Sequence, residues 1–202
     1  MRWLAGIVFA AALPAKADEA ALRGAVQTCL GIESRLDRLE CYDAISPRFA
    51  IAPAQSAWRM EIEPGSPNNI TISLEAVRGR AAFDRPILLI ARCRNDTTEM
   101  FIHWNQFLGQ DGGTLPDLWK EVEIKLDDGP AERGEWPLSD IQEATFTPEW
   151  GGRLLRRLSE SDRLIARITP YDGEPLEAEF ALTGLETAAR PIAAACGWSF
   201  DG

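Results

Sequence analysis

The chain has 202 residues, 46% of them hydrophobic, with 31 acidic against 21 basic side chains and a formal net charge of −10. That length bounds the fold at one main domain. The acidic balance argues against nucleic acid as a partner, because a phosphate backbone recruits basic surfaces; the acids are dispersed rather than massed in a tail, which reads as solubility.

The first residues have the order of a secretory leader. Met1-Arg2 is a short positive start, Trp3 to Leu13 is an apolar run, and Ala15-Lys16-Ala17 is a small-x-small cleavage pattern. The run is about eleven residues, short of the roughly twenty that span a bilayer. A signal peptide over 1–17 is therefore expected, with the mature chain beginning at Asp18 and lying in the periplasm. The residue after the cut is not Cys, so no lipid anchor is expected, and no later segment reads as transmembrane.

The span 18–48 reads as a helical hairpin. Leu22, Val26, Cys29 and Leu30 fall at helical spacing, Gly31 turns the chain, and Leu36, Leu39, Tyr42 and Ile45 give a second stripe. Ser46-Pro47 ends it, and 49–57, with Pro53, reads as a linker. From Trp58 the period changes to two. Ile70, Ile72 and Leu74 share one face of a strand. Ile87 to Cys93 is a continuous apolar strand, expected to be central, and Glu99 to Trp104 follows after a turn at Asn95-Asp96. The Gly-rich loop from Gly109 to Pro116 is the expected mobile segment. Val122, Ile124 and Leu126 alternate with charges, Asp127-Asp128-Gly129-Pro130 is a turn, and Trp136 and Leu138 lie on a return strand. Leu154, Leu155 and Leu158 mark a helix over 150–158. Leu164, Ala166 and Ile168, then Ala178, Phe180 and Leu182, mark two more strands. A last helix runs from Leu185 to about Ala195, capped by Thr183 and interrupted by Pro191. Such half-buried alternation predicts a mainly β fold with some α: an antiparallel β-sandwich-like domain over 58–202, preceded by the hairpin and closed by a C-terminal helix.

Four cysteines in a chain with a leader imply disulfides and allow three pairings. Cys29–Cys41 with Cys93–Cys196 is favoured: the first closes a short loop within the helical segment, and the second ties the β domain to the C-terminus. Zinc is the rival reading, but there is no close Cys pair of the finger type and only one His. No metal and no cofactor is expected.

Catalytic constellations are thin. His103 is the sole histidine, and a nucleophilic triad would have to reach Ser139 or Ser159, neither in a nucleophile-elbow context. Asp127-Asp128 reads as turn chemistry rather than as a glycosidase pair, and there is no Cys-x-x-Cys redox pair. The chain is read as a non-enzyme. Of its seven tryptophans, Trp58, Trp104, Trp119, Trp136, Trp150 and Trp198 could line a carbohydrate or peptide groove; core packing is the favoured reading, and Trp104, Trp119 and Trp150, near the loops, are the best groove candidates.

Five segments carry a resemblance. They are Cys29 with Arg38-Leu39-Glu40-Cys41-Tyr42-Asp43; Leu89 to Thr98, containing Arg92-Cys93-Arg94, then Phe101 to Trp104; Lys125 to Gly129 with Trp136 to Ser139; Asp162 to Tyr171; and Phe180 to Leu185, ending in Cys196-Gly197-Trp198. In this order they resemble the VasI/TagO family of type VI secretion-associated proteins. The resemblance implies an exported accessory protein of a contractile injection machine, and no catalytic residues. Envelope or secretion-apparatus proteins are then the expected partners, with peptidoglycan or a peptide as the alternative ligand of a binding module. Arg92 and Arg94 flank Cys93 and share the opposite face; they are expected to pair with Glu177 and Glu179 or to meet an anionic partner. Trp198 is expected to cover the Cys93–Cys196 bridge.

Overall fold

A computed structural model of the protein describes residues 16–45, 49 and 57–200, with side chains from residue 21 onward. The expected leader and linker lie outside these residues except at 16–17, 49 and 57. The chain divides into two compact units, 1–55 and 56–202.

The first unit is the helical hairpin, α1 (Lys16–Leu30) and α2 (Arg35–Asp43). Gly31 ends α1, and the Ser34 side chain caps α2 by accepting from the Asp37 N–H. Two short helices bury little. Leu30, Leu36 and Leu39 are all more than half exposed, while Cys29 is 1% exposed and bonded to Cys41 across 5.6 Å between Cα atoms. The covalent staple thus does what a core of this size does poorly.

The second unit begins with β1 (Arg59–Ile62), β2 (Ile70–Arg80), β3 (Pro86–Arg94) and β4 (Thr97–His103). After these come β5 (Gly112–Thr114), β6 (Asp117–Leu126), β7 (Ala131–Pro137) and β8 (Ala144–Phe146). Helix α3 (Gly151–Ser159), β9 (Arg163–Ile168), β10 (Leu176–Ala181) and α4 (Leu185–Ala195) complete it. The strands form one antiparallel sheet in the order β5-β6-β9-β10-β2-β3-β4-β8, with β1 on β2 and β7 on β6, curled into a half-barrel.

The long strand β2 joins the halves. Its first part pairs with β1 and β3, and its last part pairs with β10 through Arg78 and Glu179. Between Glu75 and Arg80 the register with β3 shifts. There Gly79 sits at φ +92, and a Cβ on it would stand 2.0 Å from the Glu177 carbonyl oxygen. A bulge with glycine lets one strand bend from one half into the other.

Alternation places Ile72, Leu74, Leu89, Ala91, Met100, Ile102, Val122, Leu164, Ala166, Ala178 and Phe180 inside. β3 lies centrally, between β2 and β4; its apolar run splits, with Leu89, Ala91 and Cys93 buried and Leu88 and Ile90 half-buried on the outer face. Helix α3 packs its leucines on β4 and α4, and α4 packs on β2 and β3. The last helix continues through Pro191, and its N-cap is Gly184 at φ 81 rather than Thr183, so no side chain caps it. The Gly-rich loop contains a hairpin, β5 on β6. Leu115-Pro116 makes its turn, Gly113 at φ +89 lets β5 run close to the Asp117 carbonyl, and Asp111 anchors it by accepting from Lys120 Nζ at 2.7 Å and from the Glu121 N–H at 2.9 Å.

Candidate partner-binding surface

The sequence Trp150-Gly151-Gly152 sets the first wall of the site. A Cβ on Gly151 would lie 2.8 Å from the Met100 nitrogen and from the Thr98 carbonyl oxygen, so α3 can start flush against β4 only without a side chain there. Gly152 leaves room for the Trp150 ring, whose atoms come within 2.5 Å of the Cβ it lacks. Trp150 is therefore folded over its own helix start and remains 44% exposed.

The sequence Cys196-Gly197-Trp198 sets the second wall. Gly197 takes φ +71, its N–H donates to the Ala194 carbonyl, and the Trp198 N–H donates back to the Ala193 carbonyl at 2.9 Å. This is a Schellman ending, in which a left-handed glycine turns the chain back on its helix. The Cys93–Cys196 bond, with 5.7 Å between Cα atoms, pins that ending to β3. Thr98 pairs with Cys93 across the β3–β4 ladder, and its Oγ1 accepts from Trp198 Nε1 at 2.8 Å. The Trp198 indole is thus bonded to the β4 residue that pairs with Cys93.

The two walls meet edge to face. Trp150 and Trp198 lie 5.4 Å apart at 75°, and Phe200 is 5.0 Å from Trp198. The Arg156 guanidinium stands 5.0 Å from the Trp198 ring and 5.5 Å from Trp150. It is held there by two donations to the Ser199 carbonyl, at 3.0 and 2.6 Å. The result is a fixed, partly exposed aromatic patch bearing a cation, worth about 0.5–1 kcal/mol per cation–ring contact at exposed sites.

The other predicted residues are not gathered here. Arg92 lies on the outer face of β3, over Phe101 at 5.0 Å, and pairs with Glu99 at 2.5 Å. It does not meet Glu177, which pairs with Arg167, or Glu179, which pairs with Arg78. The cause is topology: β10 joins the far part of β2, beyond the reach of β3. Arg94 is exposed, makes no ion pair to a described residue, and lines a groove of about 310 Å³ with Glu61, Glu63, Asn69 and Thr71. Trp104 is a core residue, 0% exposed, with Nε1 donating to Thr145 Oγ1 at 2.9 Å; it offers no surface. Trp119 is half-buried on the outer face of β6, its ring against Gly112. Arg156, Thr98 and Phe200 went unnoticed in the sequence reading. Only the basic, leucine-spaced pattern of 151–159 could have flagged Arg156.

His103 is half-buried. Burial, opposed by Glu143 and reinforced by Arg85, lowers its pKa below the ordinary 6.5, and its Nδ1 is buried without a hydrogen-bond partner. Its Nε2 is 3.9 Å from Glu143. Ser139 Oγ accepts from the Glu143 and Ala144 N–H groups at 3.2 and 3.1 Å, and Ser159 Oγ donates to the Arg156 carbonyl. Asp127 Oδ1 accepts from the Asp162 and Arg163 N–H groups, at 3.1 and 2.9 Å, closing the turn. Among the described residues no group of three or more His, Cys, Asp or Glu is arranged to hold a metal ion, and no helix is long and apolar enough to cross a membrane.

Fold and site together define a disulfide-stapled antiparallel half-barrel with an aromatic–arginine patch at its bridged end. No protein family and no curated protein matches the chain. Among solved structures it is similar to the crystal structure of invasion associated protein B from Bartonella henselae. That similarity has a TM-score of 0.45 and 13% identity, covering 68% of this chain and 92% of that one.

Proposed function

We propose that this chain is a non-enzymatic periplasmic accessory protein of the type VI secretion system, acting through protein–protein contacts. The observation that carries the reading is the convergence of Trp150, Arg156 and Trp198 into one partly exposed, hydrogen-bonded patch beside the Cys93–Cys196 bridge. Tryptophan and arginine dominate the energetic centres of protein interfaces, and a patch already immobilised loses little entropy on docking. Two closed disulfides suit an oxidising compartment, and the leader pattern supplies the route there. Arg92-Cys93-Arg94 and Cys196-Gly197-Trp198, central to the family resemblance, are the segments that the bridge joins.

The test is a deletion strain of the source organism, with export of the injection-machine tube protein as readout. Export falls on deletion, returns with the wild-type gene, and does not return with a Trp150→Ala/Arg156→Ala double variant that still reaches the periplasm. Unchanged export in the deletion strain overturns the assignment. A second reading, a glycan-binding module, has one observation of its own. Trp119 shares the outer face of β6 with Glu121 and Glu123, which line a polar groove of about 360 Å³ with Arg133, Arg167 and Thr169. Sedimentation with purified peptidoglycan, lost on Trp119→Ala, would establish that reading instead.

A further inference from the structure

At the end of the half-barrel away from the Cys93–Cys196 bridge, four loops interlock. Gln106 Oε1 accepts from the Ala82 N–H at 2.9 Å, and Asn105 Nδ2 donates to the Pro86 carbonyl at 2.6 Å. The Leu108 N–H donates to the Gln142 carbonyl at 2.9 Å, and the Leu108 carbonyl accepts from the Tyr171 N–H. Each loop sends one large apolar side chain into solvent: Phe83 is 95% exposed, Phe107 57%, Ile141 67% and Tyr171 72%. Single exposed apolar residues need no explanation, but four on loops bonded to one another form a surface.

The backbone singles out Phe83. Of the eight non-glycine residues at positive φ among those described, six are Asn or Asp, which tolerate that region; the other two are Phe83 and Gln142, both in this loop set. Phe83 sits at φ 61, ψ 32, a left-handed conformation costly for a bulky side chain. Phe83 and Asp84 are the two central residues of the β2–β3 turn, which the Arg85 N–H closes by donating to the Ala82 carbonyl, so the hairpin demands the positive φ. It does not demand an aromatic side chain there, where Gly or Asn sits without strain, and a ring kept 95% exposed at that position points to use.

Charge selects the occupant. Asp84, Asp140, Asp172 and Glu174 are exposed around these tips, against Arg80 and Arg85; Arg80 pairs with Glu75 and Asp84, which leaves Asp140, Asp172 and Glu174 against Arg85. An acidic rim is repelled by anionic phospholipid, and by a second copy of itself. We propose that this loop end is a second docking surface, independent of the Trp150 patch, for a protein segment whose apolar contact is ringed by lysine and arginine, with Phe83 held ready for it.

The test places a benzoylphenylalanine at position 83, and separately at 141, in the full chain in its native cells, with position 77 on exposed Val77 as control. A discrete protein adduct is expected from 83 and 141 and not from 77, joined through a Lys/Arg-rich segment. The purified partner should bind Phe83→Gly at least about tenfold more weakly than wild type, as loss of a central contact requires. Glycine relieves the left-handed strain, so this variant should melt no lower than wild type, which separates lost binding from lost folding. The proposal is overturned by absence of a discrete adduct, by an adduct to an acidic segment or to a second copy of the chain, or by unweakened binding of Phe83→Gly. Binding of the purified protein to vesicles of phosphatidylethanolamine with phosphatidylglycerol would overturn it as well.

Discussion

Gly79 shows how much of the fold hangs on one missing side chain. Any L-residue there meets both the positive φ and the Glu177 carbonyl. Gly79→Ala should therefore cost about 2–4 kcal/mol, the range for strain combined with a backbone clash, read as a lowered denaturant midpoint. His103 gives a pH signature. Its pKa is lower folded than unfolded, so the unfolded chain takes up the proton first. The contribution of the neutral ring is intact above its ordinary value and is lost as pH falls through the lowered folded one. The melting temperature should drop across that acid window, and His103→Phe should flatten the drop. Neither effect is written in composition: Gly79 reads as one glycine in a strand until β10 is known to lie against it. Likewise Arg92 gives no sign in the sequence that Glu99, across the β3–β4 turn, takes the role expected of Glu177 and Glu179.

Among the elements, those with a clear two-residue or helical period were legible. β2, β6, β9 and β10 stood where alternation put them, β3 where its continuous apolar run put it, and both helices of the second unit where their spacing put them, because each presents one face to the core. β1 did not, since all its residues are exposed and pairing with β2 alone makes it a strand. β5 and β8 are three residues each, too short to show a period. The loop 109–116 makes contacts that local sequence does not encode, chiefly the Asp111–Lys120 pair. At the end of α4, Gly197 carried no sign in the sequence of the turn that aims Trp198. A Cβ there meets open space, so only the left-handed backbone opposes it. Gly197→Ala should cost about 1 kcal/mol, and it should loosen the Trp198 indole from Thr98. A red shift in tryptophan emission larger than so small a loss of stability explains would report this.

For the whole molecule, the two bridges divide the labour unequally. In chain-entropy terms the 12-residue separation of Cys29–Cys41 stabilises by about 3 kcal/mol and the 103-residue separation of Cys93–Cys196 by about 5 kcal/mol. A Cys93→Ser/Cys196→Ser chain should therefore lose most of the stability of the second unit, while Cys29→Ser/Cys41→Ser should leave its denaturant midpoint near wild type. The sandwich-like, helix-closed, twice-bridged plan was visible in the sequence; its construction from a single sheet bent through β2 was not, because that depends on which distant strands become neighbours. The pairing has a further consequence for how the thiols find each other. Synthesis delivers a polypeptide N-terminus first, and the export proposed above would do the same, so the sulfurs would arrive in the order 29, 41, 93, 196, and the two bonds join first to second and third to fourth. An oxidant acting on neighbours as they emerge makes the right bonds without later shuffling, so yield should be indifferent to the loss of a disulfide isomerase.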